Sequence, residues 1–141
     1  SHLFLILLYI GGQIPMNTYL MKGYMDTIPY DLDESARIDG ASHTRIFWQI
    51  VLPLSKPMIA VAAMNGFTGP LGDFIISSTI LRSTQYYTLP IGLYNLVNDV
   101  MGASYTMFAA GAILISIPVA FVFLLLQKNF VSGLTSGGTK G

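Results

Sequence analysis

The chain has 141 residues and no net formal charge; 52% of its residues are hydrophobic, only 10% are charged, and its mean hydropathy is +0.59. Soluble domains carry about 25% charged residues, so the composition points to the membrane class first. Zero net charge argues against nucleic acid as a partner, and the lack of cysteine excludes disulfides, thiolate metal sites and cysteine nucleophiles.

A membrane-crossing helix needs about 20 mostly apolar residues. Three segments reach that length, at about residues 3–28, 57–81 and 106–127. The first opens "SHLFLILLYIGG", without the charged start or cleavage site of a signal peptide and without an initiator Met. The expectation is a chain that begins inside a hydrophobic segment, as a fragment would. Gly11, Gly12, Gln13, Pro15 and Asn17 then interrupt the run. They fit either a helix kinked at Pro15 within a bundle or a polar face lining a pathway.

Residues 29–53 break the apolar pattern. Six of the fourteen charged residues fall within "DLDESARIDGASHTRIFWQIVLP". Asp31 and Glu34, after Pro29, have the spacing of a capping box. Gly40 suits a helix stop, because glycine readily takes the left-handed conformation. Ser42 suits the N-cap of a second helix, along which Ile46, Phe47, Ile50, Val51 and Leu54 recur at helical spacing. Pro53 is expected to end that helix. The pattern predicts a helix–glycine–helix on a membrane surface. It serves either as a loop closing the bundle or as an amphipathic element offered to a partner.

The segment at 57–81 contains "MNGFTGPLGDFIISSTIL", which sets Asn65, Gly69, Pro70, Gly72 and Asp73 at membrane depth. Such backbone persists only where protein or a water-filled cavity covers it. Asp73 has three readings: a cap after the Gly-Pro break, a pathway or gate residue, or a surface residue. The stretch 82–105 has only Arg82 and Asp99 as charges, with Tyr86, Tyr87, Pro90 and Tyr94, and reads as an interfacial or re-entrant element. The third segment, "TMFAAGAILISIPVAFVFLLLQK", is uncharged until Lys128 and is expected to bend at Pro118. The tail, 128–141, ends "SGLTSGGTKG", a composition that suggests flexibility.

Lys22, Arg37, Arg45, Lys56, Lys128 and Lys140 fall on one side of the three segments and Arg82 alone on the other. The positive-inside rule then predicts a cytoplasmic insert at 29–53, a cytoplasmic tail and an outward loop at 82–105. No G-x-x-x-x-G-K-[ST] phosphate loop occurs, and His2 and His43 have no ligand-like neighbours. The residues imply no catalytic centre, metal site or cofactor.

The insert resembles the EAA motif of ABC-importer permeases, the membrane subunits of binding-protein-dependent uptake systems. Its E-x-A-x-x-D-G-A core reads Glu34, Ser35, Ala36, Asp39, Gly40 and Ala41, with Ile50, Leu52 and Pro53 in the downstream I-x-L-P. Ser35 stands where the family usually has Ala. "LMKGYMDTIP", "TGPLGDFIISSTIL", "YTLPIGLYNLV" and the ending "GLTSGGTKG" are similar to maltose and maltodextrin permeases of the smaller, MalG-like kind. The resemblance implies an all-α integral membrane protein: three transmembrane helices, the C-terminal half of a six-span type I permease, in a bacterial inner membrane. It implies that Glu34 to Pro53 couple to a cytoplasmic ATPase, with Glu34 as polar contact and Gly40 at the turn. Gly137, Gly138 and Lys140 in the tail would reach the ATPase dimer. The outward loop would face an extracytoplasmic solute-binding protein, beside a second permease subunit and membrane lipid. Three alternatives remain: a permease of this architecture for peptides, amino acids or phosphate, a proton-coupled transporter using Asp73, and a membrane enzyme, for which no nucleophile–base pair is present.

Overall fold

The computed structural model describes residues 1–138, with side chains as far as Phe130. Regular structure among the described residues is entirely helical. Helix α1 spans His2–Met25, α2 Tyr30–Ile38 and α3 His43–Leu54. Helix α4 spans Lys56–Gly72 and the short α5 Ile75–Ile80. A 3-10 turn at Thr84–Tyr86 leads to α6, Leu89–Asn98, and to α7, Tyr105–Gly138.

Two helices are by themselves long and apolar enough to cross a membrane, His2–Met25 and Tyr105–Phe130. At 1.5 Å per residue each spans more than the roughly 30 Å of a bilayer's hydrocarbon core. Both run unbroken through their prolines, Pro15 and Pro118. The expected third span is not one helix over 57–81. Its α4 has 17 residues and stops at Gly72, and α5 restarts at Ile75. Pro70 lies inside α4, and the chain breaks at Asp73–Phe74, three residues past the proline. Helix α7 also continues past the expected span end at 127 to Gly138, so the tail enters as helix where composition suggested flexibility.

The surface is the reverse of that of a water-soluble domain. Leu3, Phe4, Ile6, Leu7, Ile113, Leu114, Phe121 and Leu124 are exposed, whereas the buried hydrophobic residues among those described are Leu5, Ile46, Ala60, Leu81, Ile91 and Leu93. Contiguous apolar exteriors of this kind belong against lipid or partner helices.

The chain forms two compact units. The first joins Ser1–Gln13 to Met64–Leu125, and the second joins Ile14–Ala63 to the segment from Leu126 onward. The core of the first unit is Leu5, Leu81 and Ile91, with Tyr9, Phe74, Ile80 and Tyr87 packed against it. Phe74 and Tyr94 lie with ring centroids 4.2 Å apart, tying the residue after the helix break to α6. Helices α6 and α7 approach closely at Gly111, where an added Cβ would collide with Leu93 Cδ2. A Cβ added at Gly92 would meet nothing within 4 Å outside its own helix backbone. Alanine at Gly92 should therefore stabilise by up to about 1 kcal/mol through helix propensity alone. At Gly111 that gain should be lost, because Leu93 must move. Thermal unfolding in detergent compares the two; equal stabilisation would contradict the close packing.

Candidate functional site

Helix α2 begins two residues earlier than the capping-box reading requires. Its N-cap is Pro29, in an extended conformation and without a side-chain bond, and Asp31 already lies in the first turn. A side chain on helical backbone cannot reach forward to the N3 amide, so the box is not formed. Asp31 and Asp33 instead place negative charge near the positive end of the helix dipole. Asp33 also pairs with Arg37 at 2.9 Å, and Ser35 Oγ donates to the Asp31 carbonyl at 2.6 Å.

The stop at the other end accounts for the A-x-x-D-G-A spacing physically. The Gly40 amide donates to the Arg37 carbonyl at 2.9 Å, and the Ala41 amide reaches back to the Ala36 carbonyl at 2.9 Å. These are the two bonds of a Schellman motif, in which the penultimate position must be left-handed. Gly40 has φ +80°. Asp39 is the C-cap. A chain reversal is thus built from backbone bonds alone. Glu34, Asp39 and Gly40 remain exposed on it, and Ile38 is 86% exposed.

Ser42 caps α3, with its Oγ accepting from the Arg45 amide at 3.3 Å. Arg45 Nε donates to Gln49 Oε1 at 2.9 Å one turn on. Ile46 is buried, and Ile50 and Val51 are half-buried, as helical spacing requires. Phe47 and Leu54 are exposed, so the apolar side is narrower than the sequence pattern. Trp48, 61% exposed, stands edge-on to Phe47. Residues Phe47–Val51 form a π-helical turn, in which the Leu52 amide donates to the Phe47 carbonyl. Pro53 explains it: proline has no N–H for the Gln49 carbonyl, and its ring would press on that carbonyl in a regular α-helix. Pro53 does not end the element, because α3 continues to Leu54 and stops at Ser55. Between α2 and α3 lies a cavity of about 220 Å³ lined by Ala36, Asp39, Ala41, Arg45, Ile46, Gln49 and Ile50.

Asp73 lies in the first unit. Its carboxylate accepts from the Ile76 amide at 3.2 Å and the Ser77 amide at 2.9 Å, which starts α5. Tyr9 Oη donates to the same carboxylate at 2.7 Å from α1. Ser77, fully buried, returns its hydroxyl to the Asp73 carbonyl at 3.0 Å. Three donors on one carboxylate is the arrangement of a helix cap with a cross-helix tie. Of the neighbouring candidates, Gly69 packs so closely on α1 that an added Cβ would lie 3.1 Å from Gln13 Nε2. Asn65 and Gly72 are exposed and Pro70 is half-buried. Sequence spacing gave no sign of Tyr9 or Ser77, since the first is 64 residues from Asp73. Gly137 and Gly138 close α7, and Lys140 lies outside the described residues.

The apolar helices and the capped polar insert together define a membrane component of the permease type. Residues 1–136 match the family described as binding-protein-dependent transport system inner membrane component, and the chain belongs to it. Among curated relatives, the galactooligosaccharides transport system permease protein GanQ of Bacillus subtilis is 82% identical over 141 residues, covering the whole chain and 50% of the relative. The maltodextrin transport system permease protein MalD of Streptococcus pneumoniae is 59% identical over 138 residues, 98% of this chain and 49% of its own. The maltose/maltodextrin transport system permease protein MalG of Escherichia coli is 37% identical over 141 residues, the whole chain and 47% of its own. The chain therefore spans about half the length of these relatives.

Proposed function

We propose that this chain forms part of the translocation pathway of an ATP-driven oligosaccharide importer in a bacterial cell membrane, with galacto-oligosaccharides as its first substrate class. The supporting observation is the Schellman-stopped insert at Gly40 in a chain 82% identical to a galactooligosaccharide permease. Residues 29–53 are the coupling element: Glu34, Asp39 and Ile38 meet a cytoplasmic ATPase, and the backbone stop keeps the two helices at a fixed angle. The cytoplasmic placement of this element and of the C-terminus rests on the distribution of lysine and arginine. A second permease subunit covers the exposed apolar faces, an extracytoplasmic binding protein delivers sugar to residues 82–105, and the chain itself carries out no catalysis. Closure of the ATPase moves the coupling element, and the helices rock the pathway from one side to the other.

Maltodextrin is the second reading for substrate, supported by 59% identity to a maltodextrin permease. The assembled transporter in proteoliposomes separates the two: galacto-oligosaccharide uptake should exceed maltodextrin uptake when each is offered with its own binding protein. The reverse order would reassign the substrate. A cysteine at Asp39, in a chain with none of its own, should cross-link to the ATPase subunit; absence of a product in every nucleotide state would remove the coupling role.

The tail belongs to the same proposal. Gly137, Gly138 and Lys140 would contact the ATPase dimer through backbone groups and one charge. Deleting 134–141 should leave membrane insertion intact and lower uptake, measured beside the parent chain. Full-rate uptake by the shortened chain would reduce the tail to a passive extension.

A further inference from the structure

Between the coupling element and α4 the chain turns by 69° within a single residue, Ser55. The sequence there is "LPLSKP", with Pro53 and Pro57 two residues to either side. Proline fixes φ at both flanks. Pro57 also has no N–H to offer the Pro53 carbonyl, which cuts the helical ladder at this point. A corner of this kind could be a loose hinge or a locked elbow, and the bonding at Ser55 decides between them.

Ser55 is fully buried, one of two buried polar residues among those described. Its amide donates to the Val51 and Leu52 carbonyls at 3.0 and 3.1 Å. Its hydroxyl donates to the Val51 carbonyl at 2.8 Å. Its own carbonyl accepts from the Met58 and Ile59 amides, both at 3.0 Å. Every polar group of the residue is thus used, some facing α3 and some facing α4. The bend diverts the Met58 amide to Ser55 and so frees the Leu54 carbonyl. Tyr24 Oη, from the end of α1, donates to that carbonyl at 3.2 Å. A hinge exposes backbone groups and leaves them free to exchange partners. At this corner the groups of Ser55 are buried and satisfied, as in rigid interiors, and the more exposed Leu54 carbonyl is still held by Tyr24.

We infer that Ser55 is a positioning residue, a locked elbow that makes the coupling element and α4 move as one body, so that the flexing joints lie elsewhere in the chain. The inference rests on the proposed coupling role of residues 29–53. It assigns Ser55 no contact with sugar or nucleotide. Its work is to keep displacement of α3 from being absorbed at the corner before it reaches α4.

The test uses the assembled transporter. Spin labels on cysteines at Thr44 and Ala63, both exposed and either side of the corner, should lie about 24 Å apart at 1.5 Å per helical residue across the 69° bend. The expected result is one narrow distance distribution, the same in nucleotide-free and nucleotide-bound states. A distance that changes between the states would overturn the locked elbow. Ser55→Gly removes the hydroxyl tie and frees the backbone; it should broaden the distribution and lower the sugar imported per ATP hydrolysed about fivefold or more, the lower end of ordinary coupling energies. ATP hydrolysis itself should persist. Ser55→Ala, which restores a restricted backbone in the same space, should recover part of the coupling. An unchanged sugar-to-ATP ratio in Ser55→Gly would overturn the proposal. If that variant does not assemble, the distances in the parent chain still decide. Failure of the parent transporter to take up sugar with ATP would count against the importer reading, whereas the nucleotide-free distance distribution would still report the corner.

Discussion

Valine in place of Gly40 is expected to reduce uptake to background while leaving the chain inserted in the membrane. The cause is backbone geometry, not space: no atom lies within 4 Å of a Cβ added at Gly40, but its φ is +80°. Left-handed backbone costs an L-residue roughly 1–2 kcal/mol, and a β-branched one is a clear outlier there. If valine drops out of that conformation, both Schellman bonds are lost and α3 leaves α2 at another angle. Asparagine visits the left-handed region more readily, so Gly40→Asn should keep a measurable part of the uptake. Sugar uptake, with membrane content measured in parallel, checks the ranking. Wild-type uptake by Gly40→Val would show that the angle between the two helices does not matter.

Asp73→Leu should be the second severe variant. It strands three donors at once, the Tyr9 hydroxyl and the Ile76 and Ser77 amides. The Tyr9 and Ser77 donors are partly buried, and a buried donor left without a partner costs about 1–3 kcal/mol. Asp73→Asn keeps one acceptor oxygen that can hold an amide at the start of α5, so it should be clearly milder. Tyr9→Phe should resemble Asp73→Asn, because it removes the cross-helix tie and spares the cap. Thermal stability in detergent and uptake should follow the same order. Equal damage from Asn and Leu would mean that the charge itself is needed, and would revive a gating or proton-carrying role.

Features carried by local chemistry were legible in the sequence. The three apolar runs, the helix stop at Gly40, the N-cap at Ser42 and a break near Asp73 all follow from residue type and short spacing. The family also followed from the motif between Glu34 and Pro53. The readings that failed have local causes too. The capping box failed because Pro29 starts α2 early. The apolar side of α3 narrowed because a π-helical turn before Pro53 rotates the residues around it. The break in the segment at 57–81 was expected at the Gly-Pro step, but Pro70 is held inside α4 and the break falls at Asp73–Phe74. What no spacing rule reaches is pairing at long range: Tyr9 with Asp73, Tyr24 with Leu54, Gly111 with Leu93. These depend on how helices pack, and a single apolar run does not encode which of its faces meets which neighbour. Nor did local pattern mark Ser55, an ordinary serine between prolines until its bonds are counted.

The most direct test of the account is sugar uptake by the assembled transporter in proteoliposomes, with the driving force chosen by the experimenter. Labelled galacto-oligosaccharide and binding protein are supplied outside, and either ATP is enclosed or a proton gradient is imposed. The account predicts accumulation with ATP, none with the gradient alone, and loss of the ATP-driven uptake in Gly40→Val. Uptake driven by the proton gradient without ATP, and abolished by Asp73→Asn, would contradict it.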